Sequence, residues 1–314
     1  MRNANLMLFH SVDLDGWCSA AIVQYYYELE NKKIESIQSK GFKNLPTDYL
    51  GWNYGDPLPK WQNYEGDIII SDISFPPETM LEMVQSGKNI IWCDHHISAI
   101  KGIEEFFSKK GVELPKGIRN VDFSACELTW QYFFPKSKVP RGVELLGLYD
   151  SFRHTKVLPK NEQKQVLEFQ YACQAQIDSR ETFKRELLLH DSDKFIQKYM
   201  EDGVAIYKYI CMNAKDEYAK RMNISVDGYN FCAFNKERFN PINFEIDYHA
   251  DGYDGSLCFW YVDGMWNFSF YNDNGKVDCS VLCKKRGGGG HAGAAGMKVS
   301  GNELDTMIQK LLNG

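Results

Sequence analysis

The sequence predicts an α/β chain, with a parallel sheet in its N-terminal half joined by helices to a smaller α+β block. Three observations predict it. Short apolar runs at 6–9, 67–71 and 89–93 alternate with helical patterns, and that alternation needs crossover connections and a parallel sheet. Each of these runs ends in acids or histidines. After 223 the text changes to aromatic and β-branched residues punctuated by turn signals.

Taken in order, Leu6 to Phe9 reads as a strand that ends in the polar loop His10-Ser-Val-Asp-Leu-Asp-Gly16. A helix follows, with Ala20, Ile22, Val23, Tyr26 and Tyr27 on one apolar face. Asp67 to Ser71 is a second strand ending at Asp72, and Asn89 to Cys93 a third ending at Asp94-His95-His96. Between them Pro77 to Gln85 is a helix with proline at its start and Gly87 as its stop. From 158 to 222 the pattern is long and helical, with Leu187, Leu188, Phe195, Ile196, Tyr199, Ile206 and Ile210 as its apolar stripe. Beyond it, 224–234 and 256–271 are strand-like, and Val262-Asp-Gly-Met265 is a hairpin turn. The expected organisation is 1–155, a helical linker 156–222, and 223–314.

Composition narrows the function. Net charge is −6 with a pI of about 5.7, and the tight basic cluster is Lys284, Lys285 and Arg286. A protein gripping a long nucleic acid usually shows a basic face, so the balance favours a short substrate. Nine cysteines, an odd number with no CxxC pair, fit reduced thiols in a cytoplasmic protein. Cys279 and Cys283, four apart, read as buried small hydrophobes rather than ligands. No apolar run approaches the roughly 20 residues of a membrane span, and the N-terminus lacks a signal-peptide pattern.

The polar residues carry the chemistry. Asp13 and Asp15, Asp72, and Asp94-His95-His96 fall at the C-terminal ends of three expected strands, where open α/β sheets form their ligand crevice. Each has an ordinary reading alone: Asp72 as a turn former, Asp13-Leu-Asp15 as a helix cap, the histidine pair as surface. Meeting at one sheet edge, they form a carboxylate and imidazole set suited to divalent ions. Two such ions need a shared carboxylate, and Asp72, alone at its strand end, is the natural bridge. Asp150 closes a helix spanning 144–150, an unfavourable place for an acid that invites a cation; Arg153 and His154 are the alternative neutralising partners.

These residues resemble the motifs of the DHH phosphoesterase superfamily, which includes RecJ-like exonucleases, oligoribonucleases, cyclic dinucleotide phosphodiesterases and manganese-dependent pyrophosphatases. The matching segments are His10-Ser-Val-Asp13-Leu-Asp15-Gly16, Ser71-Asp72, Asp94-His95-His96, Leu148-Tyr149-Asp150 and the stretch from Arg286 through Gly287, Gly288, Gly289, Gly290 and His291 to Gly296, which is similar to the signature of the DHH-associated domain. One departure is the spacing of His10 and Asp13, three apart where many relatives have four. The resemblance implies a parallel-sheet DHH domain followed by a DHH-associated substrate-binding domain. It implies two manganese or magnesium ions: His10 and Asp13 on the first, Asp15, His95 and Asp150 on the second, Asp72 between them. It gives His96 the scissile phosphate or leaving oxygen, Asp94 the orientation of a histidine, and Arg286, Gly287 to Gly290 and His291 the substrate away from the scissile bond.

The glycine run itself argues for close backbone approach, since four glycines cost chain entropy. It is expected to lead into a helix at His291-Ala-Gly-Ala-Ala, whose start would present amides to an anion. The aromatic residues of the second block, which include Trp260, Trp266 and Phe268, are read as core.

The expected function is a two-metal phosphodiesterase acting on short single-stranded oligonucleotides, linear or cyclic dinucleotides, or nucleoside bisphosphates. The alternatives are a RecJ-like single-strand exonuclease, a pyrophosphatase, and a non-catalytic nucleotide- or RNA-binding module. A homodimer is left open, and no membrane is implied.

Overall fold

The computed structural model describes residues 1–36, 45–188, 193–237 and 239–301; the part of the 223–314 block beyond 301 lies outside them. Strands β1 (Asn5–His10), β2 (Thr47–Trp52), β3 (Ile68–Ser71) and β4 (Ile90–Cys93) form an all-parallel sheet in the order β2-β1-β3-β4. The connections carry helices α1 (Leu14–Ser36) and α2 (Pro77–Gln85). Helices α3 (Ile97–Lys110), α4 (Ala125–Phe133) and α5 (Arg141–Asp150) follow the last strand.

Strands β3 and β4 are buried along their full length, which is why they read as unbroken apolar runs rather than alternating ones. Leu6, Leu8, Ile68, Ile70, Ile90 and Trp92 pack on one face against Met80 and Met83 of α2 and Ile100, Ile103 and Phe107 of α3. Met7, Phe9, Ile69, Ile91 and Cys93 pack on the other against Ala20 and Val23 of α1 and Leu128 and Phe133 of α4. Each fully buried side chain of this size contributes about 1.5–3 kcal/mol. This two-faced sandwich fixes where β1, β3 and β4 end, and so where the polar residues that follow them begin.

Strand β2 was not expected from the sequence. It is a half-exposed edge interrupted by Asp48, which pairs with Arg2, and by Gly51, where a Cβ would lie 2.6 Å from Ser11 Cβ. Neither feature reads as a strand.

Helix α6 (Arg153–Val157) precedes the expected helical stretch, in which α7 (Lys160–Gln176), α8 (Arg180–Phe183) and α9 (Asp193–Ala219) lie. The buried line on α9 includes Ile196, Tyr199, Tyr207, Cys211 and Ala214; the expected stripe holds at Leu187, Leu188, Ile196 and Tyr199, whereas Ile206 and Ile210 are only half-buried, one position from Tyr207 and Cys211. The chain divides into two compact units, Met1–Val204 and Ala205–Gly314.

The second unit holds a mixed sheet ordered β5-β6-β7-β8-β10-β9, from β5 (Met222–Val226), β6 (Tyr229–Phe234), β7 (Gly255–Val262), β8 (Met265–Tyr271), β9 (Gly289–Gly290) and β10 (Ala294–Ser300), with α10 (Cys279–Lys284) beside it. The 224–234 block is a hairpin, turned at Asp227-Gly228 with both residues at positive φ, and the Asp263-Gly264 turn does the same between β7 and β8. The glycine run does not lead into a helix. It pairs with β10, Gly289 and Gly290 facing Gly296 and Ala295, because α10 has already ended and the small residues that follow are needed for strand-to-strand contact. All nine cysteines are free and buried, Cys279 and Cys283 within α10.

Candidate metal centre

Strand β1 delivers His10, and the chain turns at once into α1. Gly16 permits this, since a Cβ there would lie 1.9 Å from His10 O. Asp13 Oδ1 accepts the Gly16 N–H at 3.2 Å, which fixes the loop, and Asp13 Oδ2 lies 3.1 Å from His10 Nδ1. Strand β3 ends at Ser71, and Asp72 takes a left-handed backbone, φ +63°, with its N–H on Cys93 O. Aspartate tolerates that conformation better than a branched residue. Strand β4 ends at Cys93, and His96 stands at the entry to α3.

Asp72 is the centre of the cluster. Its Oδ2 lies 3.5 Å from His10 Nδ1 and its Oδ1 lies 3.2 Å from His95 Nε2. His95 Nε2 also lies 3.3 Å from Asp150 Oδ2 and 3.7 Å from Asp15 Oδ2. Within Met1–Val204, three sets of described residues have ligand atoms within 4.8 Å of one another and could each hold a metal ion: His10 with Asp13 and Asp72, Asp15 with His95 and Asp150, and Asp72 with Asp94 and His96. The fourth motif therefore joins the first three through Asp150, the last residue of α5. Arg153 and His154 do not neutralise it; they are engaged by Glu127 and by Leu148 O.

The electrostatics are those of crowded carboxylates. Burial, followed by the nearby Asp15, pushes the Asp72 and Asp150 carboxyls well above the usual range. Burial opposes protonation of His10, yet Asp13 and Asp72 outweigh it and raise His10 to about 11. Burial opposes it in His95 too, and Asp150 and Asp15 still raise it. Against its own burial, Asp13 is held at about 2 by His10. Asp72 Oδ2 and Asp150 Oδ2 are buried and accept no hydrogen bond among the described residues. Oxygens in that state are costly to keep unless a cation or proton satisfies them, and an oxygen and nitrogen donor set of this kind fits a hard divalent ion.

Two of the expected residues have further tasks. Asp94 is fully buried; its Oδ1 accepts the N–H of His95 and of His96 and lies 2.8 Å from His96 Nδ1. Asp15 accepts the N–H of Ala125 at 2.8 Å and of Cys126 at 2.7 Å, so it also caps α4. The sequence reading missed Ser74, which donates to Asp94 Oδ2, and Tyr54, whose hydroxyl accepts the Ser74 N–H at 3.1 Å and whose ring faces those of His10 and His96. Ser74, two residues past Asp72, was open to notice; nothing local marks Tyr54, which lies just past the unforeseen β2.

The glycine-rich signature lies in the second unit. A Cβ on Gly288 would lie 2.2 Å from Gly296 O, and one on Gly290 2.7 Å from Ala294 O. Gly287 takes φ +79° past the end of α10. His291 N donates to Ala294 O at 2.7 Å, closing the turn into β10. Arg286 Nη2 lies 2.6 Å from Asp227 Oδ1 and Lys285 Nζ 3.3 Å from its Oδ2, and together, Arg286 first, they hold Asp227 below the usual carboxylate range.

No family model matches the chain. An uncharacterised protein of Acanthamoeba polyphaga mimivirus is 24% identical over 324 residues, spanning 95% of this chain and 68% of that protein. Among solved structures, the DHH domain of a member of the S1p family of ribosomal proteins is similar with a TM-score of 0.55 at 12% identity, covering 99% of this chain and 86% of that one. A pGpG-specific phosphodiesterase, PggH, of Vibrio cholerae is similar with a TM-score of 0.46 at 14% identity, covering 99% and 98%. The chain therefore shares its fold with that DHH domain. Among the described residues no helix is long and apolar enough to cross a membrane.

Proposed function

We propose that the chain is a metal-dependent phosphodiesterase that hydrolyses short oligonucleotides, dinucleotides or nucleoside bisphosphates with two manganese or magnesium ions. The observation that carries this reading is Asp72, buried at a strand end with its two oxygens facing opposite histidines and shared between sets of potential ligands. In this reading His10 and Asp13 would hold one ion, Asp15, His95 and Asp150 the other, and Asp72 both. When bound, such a pair would supply a nucleophile near neutral pH and offset the phosphoryl charge.

The chain's own groups do the rest. Asp94 holds His96 by its Nδ1, and His96, with a fifth of its side chain exposed, is the group assigned to the scissile phosphate or the leaving oxygen. Arg286, Gly287 to Gly290 and His291 are assigned to the substrate away from that bond. The acidic charge of −6 favours a short substrate over a long polymer.

The test is a turnover panel in manganese: a five-nucleotide RNA, a cyclic dinucleotide, a linear dinucleotide, adenosine bisphosphate and pyrophosphate, with Asp72→Asn as control. Mononucleotide release from the short strands, lost in the control, is expected. Activity on none of the five, or equal activity in the control, contradicts the reading.

A further inference from the structure

We propose that Glu127 and Arg153 are positioning residues that hold Asp150 in place for one of two metal ions; the inference rests on the metal centre proposed above.

Glu127 is buried in the first turn of α4, 3% exposed, and its Oε2 accepts the Ser124 N–H at 3.1 Å, completing a capping box. A capping glutamate is normally a surface residue, so burial calls for another partner. That partner is Arg153, whose Nη2 donates to both Glu127 oxygens, at 2.7 and 2.6 Å. Arg153 Nε donates at 3.0 Å to Ser151 Oγ, and Ser151 Oγ donates to Gly147 O at 2.6 Å. The guanidinium thus ties the residue directly after Asp150 to α4. Its Cζ stands 4.6 Å over the Phe123 ring, which restricts it further.

The backbone is shaped for this contact. Phe152 takes φ +54°, rare for a bulky residue, and the reversal returns Arg153 to the end of α5. Gly147 lets α5 approach closely: a Cβ there would lie 2.2 Å from Glu127 Oε2. The same turn of α4 is held from the other side by Asp15 through Ala125 and Cys126. Asp15 and Asp150 both approach His95 Nε2, at 3.7 and 3.3 Å, so the first turn of α4 links two of that ion's three expected ligands. Ion pairs buried this deeply usually contribute little net stability, which leaves specific geometry as the reason to keep one.

The test is manganese binding to metal-stripped protein, read as free Mn2+ by its magnetic resonance signal. The full chain is compared with Glu127→Gln/Arg153→Met, Arg153→Lys and Ile103→Val; the last loosens the core beneath α3 away from the cluster. The full chain takes up two ions. The double variant removes both charges together, so that neither is left buried alone, and weakens one ion at least tenfold while the other stays within twofold. Arg153→Lys keeps a cation for Glu127 but loses the link to Ser151, and weakens the same ion to a lesser degree; it decides the matter if the double variant does not fold. Ile103→Val lowers thermal stability with both ions unchanged. Two ions held within twofold by both clamp variants overturn the proposal, as does equal weakening of both ions matched by Ile103→Val. A full chain that takes up no manganese overturns the metal centre itself, and the clamp with it.

Discussion

The Asp94 carboxylate accepts from the His96 ring at Nδ1, 2.8 Å away, and at the same time from the backbone N–H of His95 and His96. Burial would raise this carboxyl, yet His96, His95 and Ser74 together hold it well below its ordinary value. It stays ionised, so it fixes the ring and its tautomer. Asp94→Asn keeps the shape and loses the charge. Activity in manganese falls about 10- to 100-fold, the usual cost of removing such a support. Steady-state turnover on a linear dinucleotide measures this, and an unchanged rate counts against the orienting role.

Asp72→Asn separates stability from chemistry. Asparagine accepts the left-handed backbone at this position, and it removes one of several crowded buried carboxylates. The metal-free variant is therefore expected to be as stable as the natural chain or more so, by about 1 kcal/mol, while turnover drops to background. Chemical denaturation in EDTA reads the first effect. A variant less stable than the natural chain without metal contradicts the account of crowding.

Metal uptake is expected to release protons and to tighten as pH rises. His10 is raised to about 11 in the metal-free chain, so its stabilisation is complete below its ordinary 6.5 and is lost as pH climbs toward 11. Asp72 and Asp150 are raised too, so their contribution is complete below the ordinary carboxylate value and lost as pH passes their folded values. Each must shed its proton to bind a cation. The melting-temperature gain on adding manganese is therefore larger at pH 8 than at pH 6. Scans at both pH values, with proton release followed by an indicator dye, check it; a larger gain at pH 6 refutes it.

His154 has the opposite sense. Burial lowers its pKa from 6.5, and its Nδ1 donates to Leu148 O at 2.9 Å. Its stabilisation is present above 6.5 and is lost as pH falls through the lowered value. His154→Asn retains a donor at that position and does not titrate. The stability gap between the natural chain and this variant narrows or reverses between pH 7 and pH 5, as urea melts at the two pH values will show.

In the second unit, Gly288→Ala and Gly287→Ala should differ. Gly288 would drive a Cβ into the Gly296 carbonyl, at a cost of about 1–3 kcal/mol. Gly287 has open space and only its positive φ to overcome, at about 1–2 kcal/mol. Denaturant midpoints should rank Gly288→Ala as the less stable; the reverse order contradicts the described pairing of β9 with β10.

The sheet and its acid-bearing ends were legible because β3 and β4 are apolar throughout and each stops at a polar residue. Pro77 and Gly87 bracket α2 for local reasons, and so that helix was read to its ends. What escaped was non-local. Strand β2 owes its place to pairing with β1, not to its own composition. Tyr54 reaches the cluster only because β2 lies at that edge. Glu127 looks like an ordinary capping residue until Arg153, 26 positions later, folds back onto it. Small residues after the glycine run suit a tight strand as well as a helix, and only Gly296 and Ala295 facing Gly289 and Gly290 decide between them.

The central claim is that Asp72 is shared between two divalent ions, and anomalous diffraction from a manganese-soaked crystal tests it most directly. The account predicts two peaks, each in contact with Asp72, one beside His10 and Asp13 and the other beside His95 and Asp150. Absence of any peak at Asp72, with manganese present in the crystal, contradicts it.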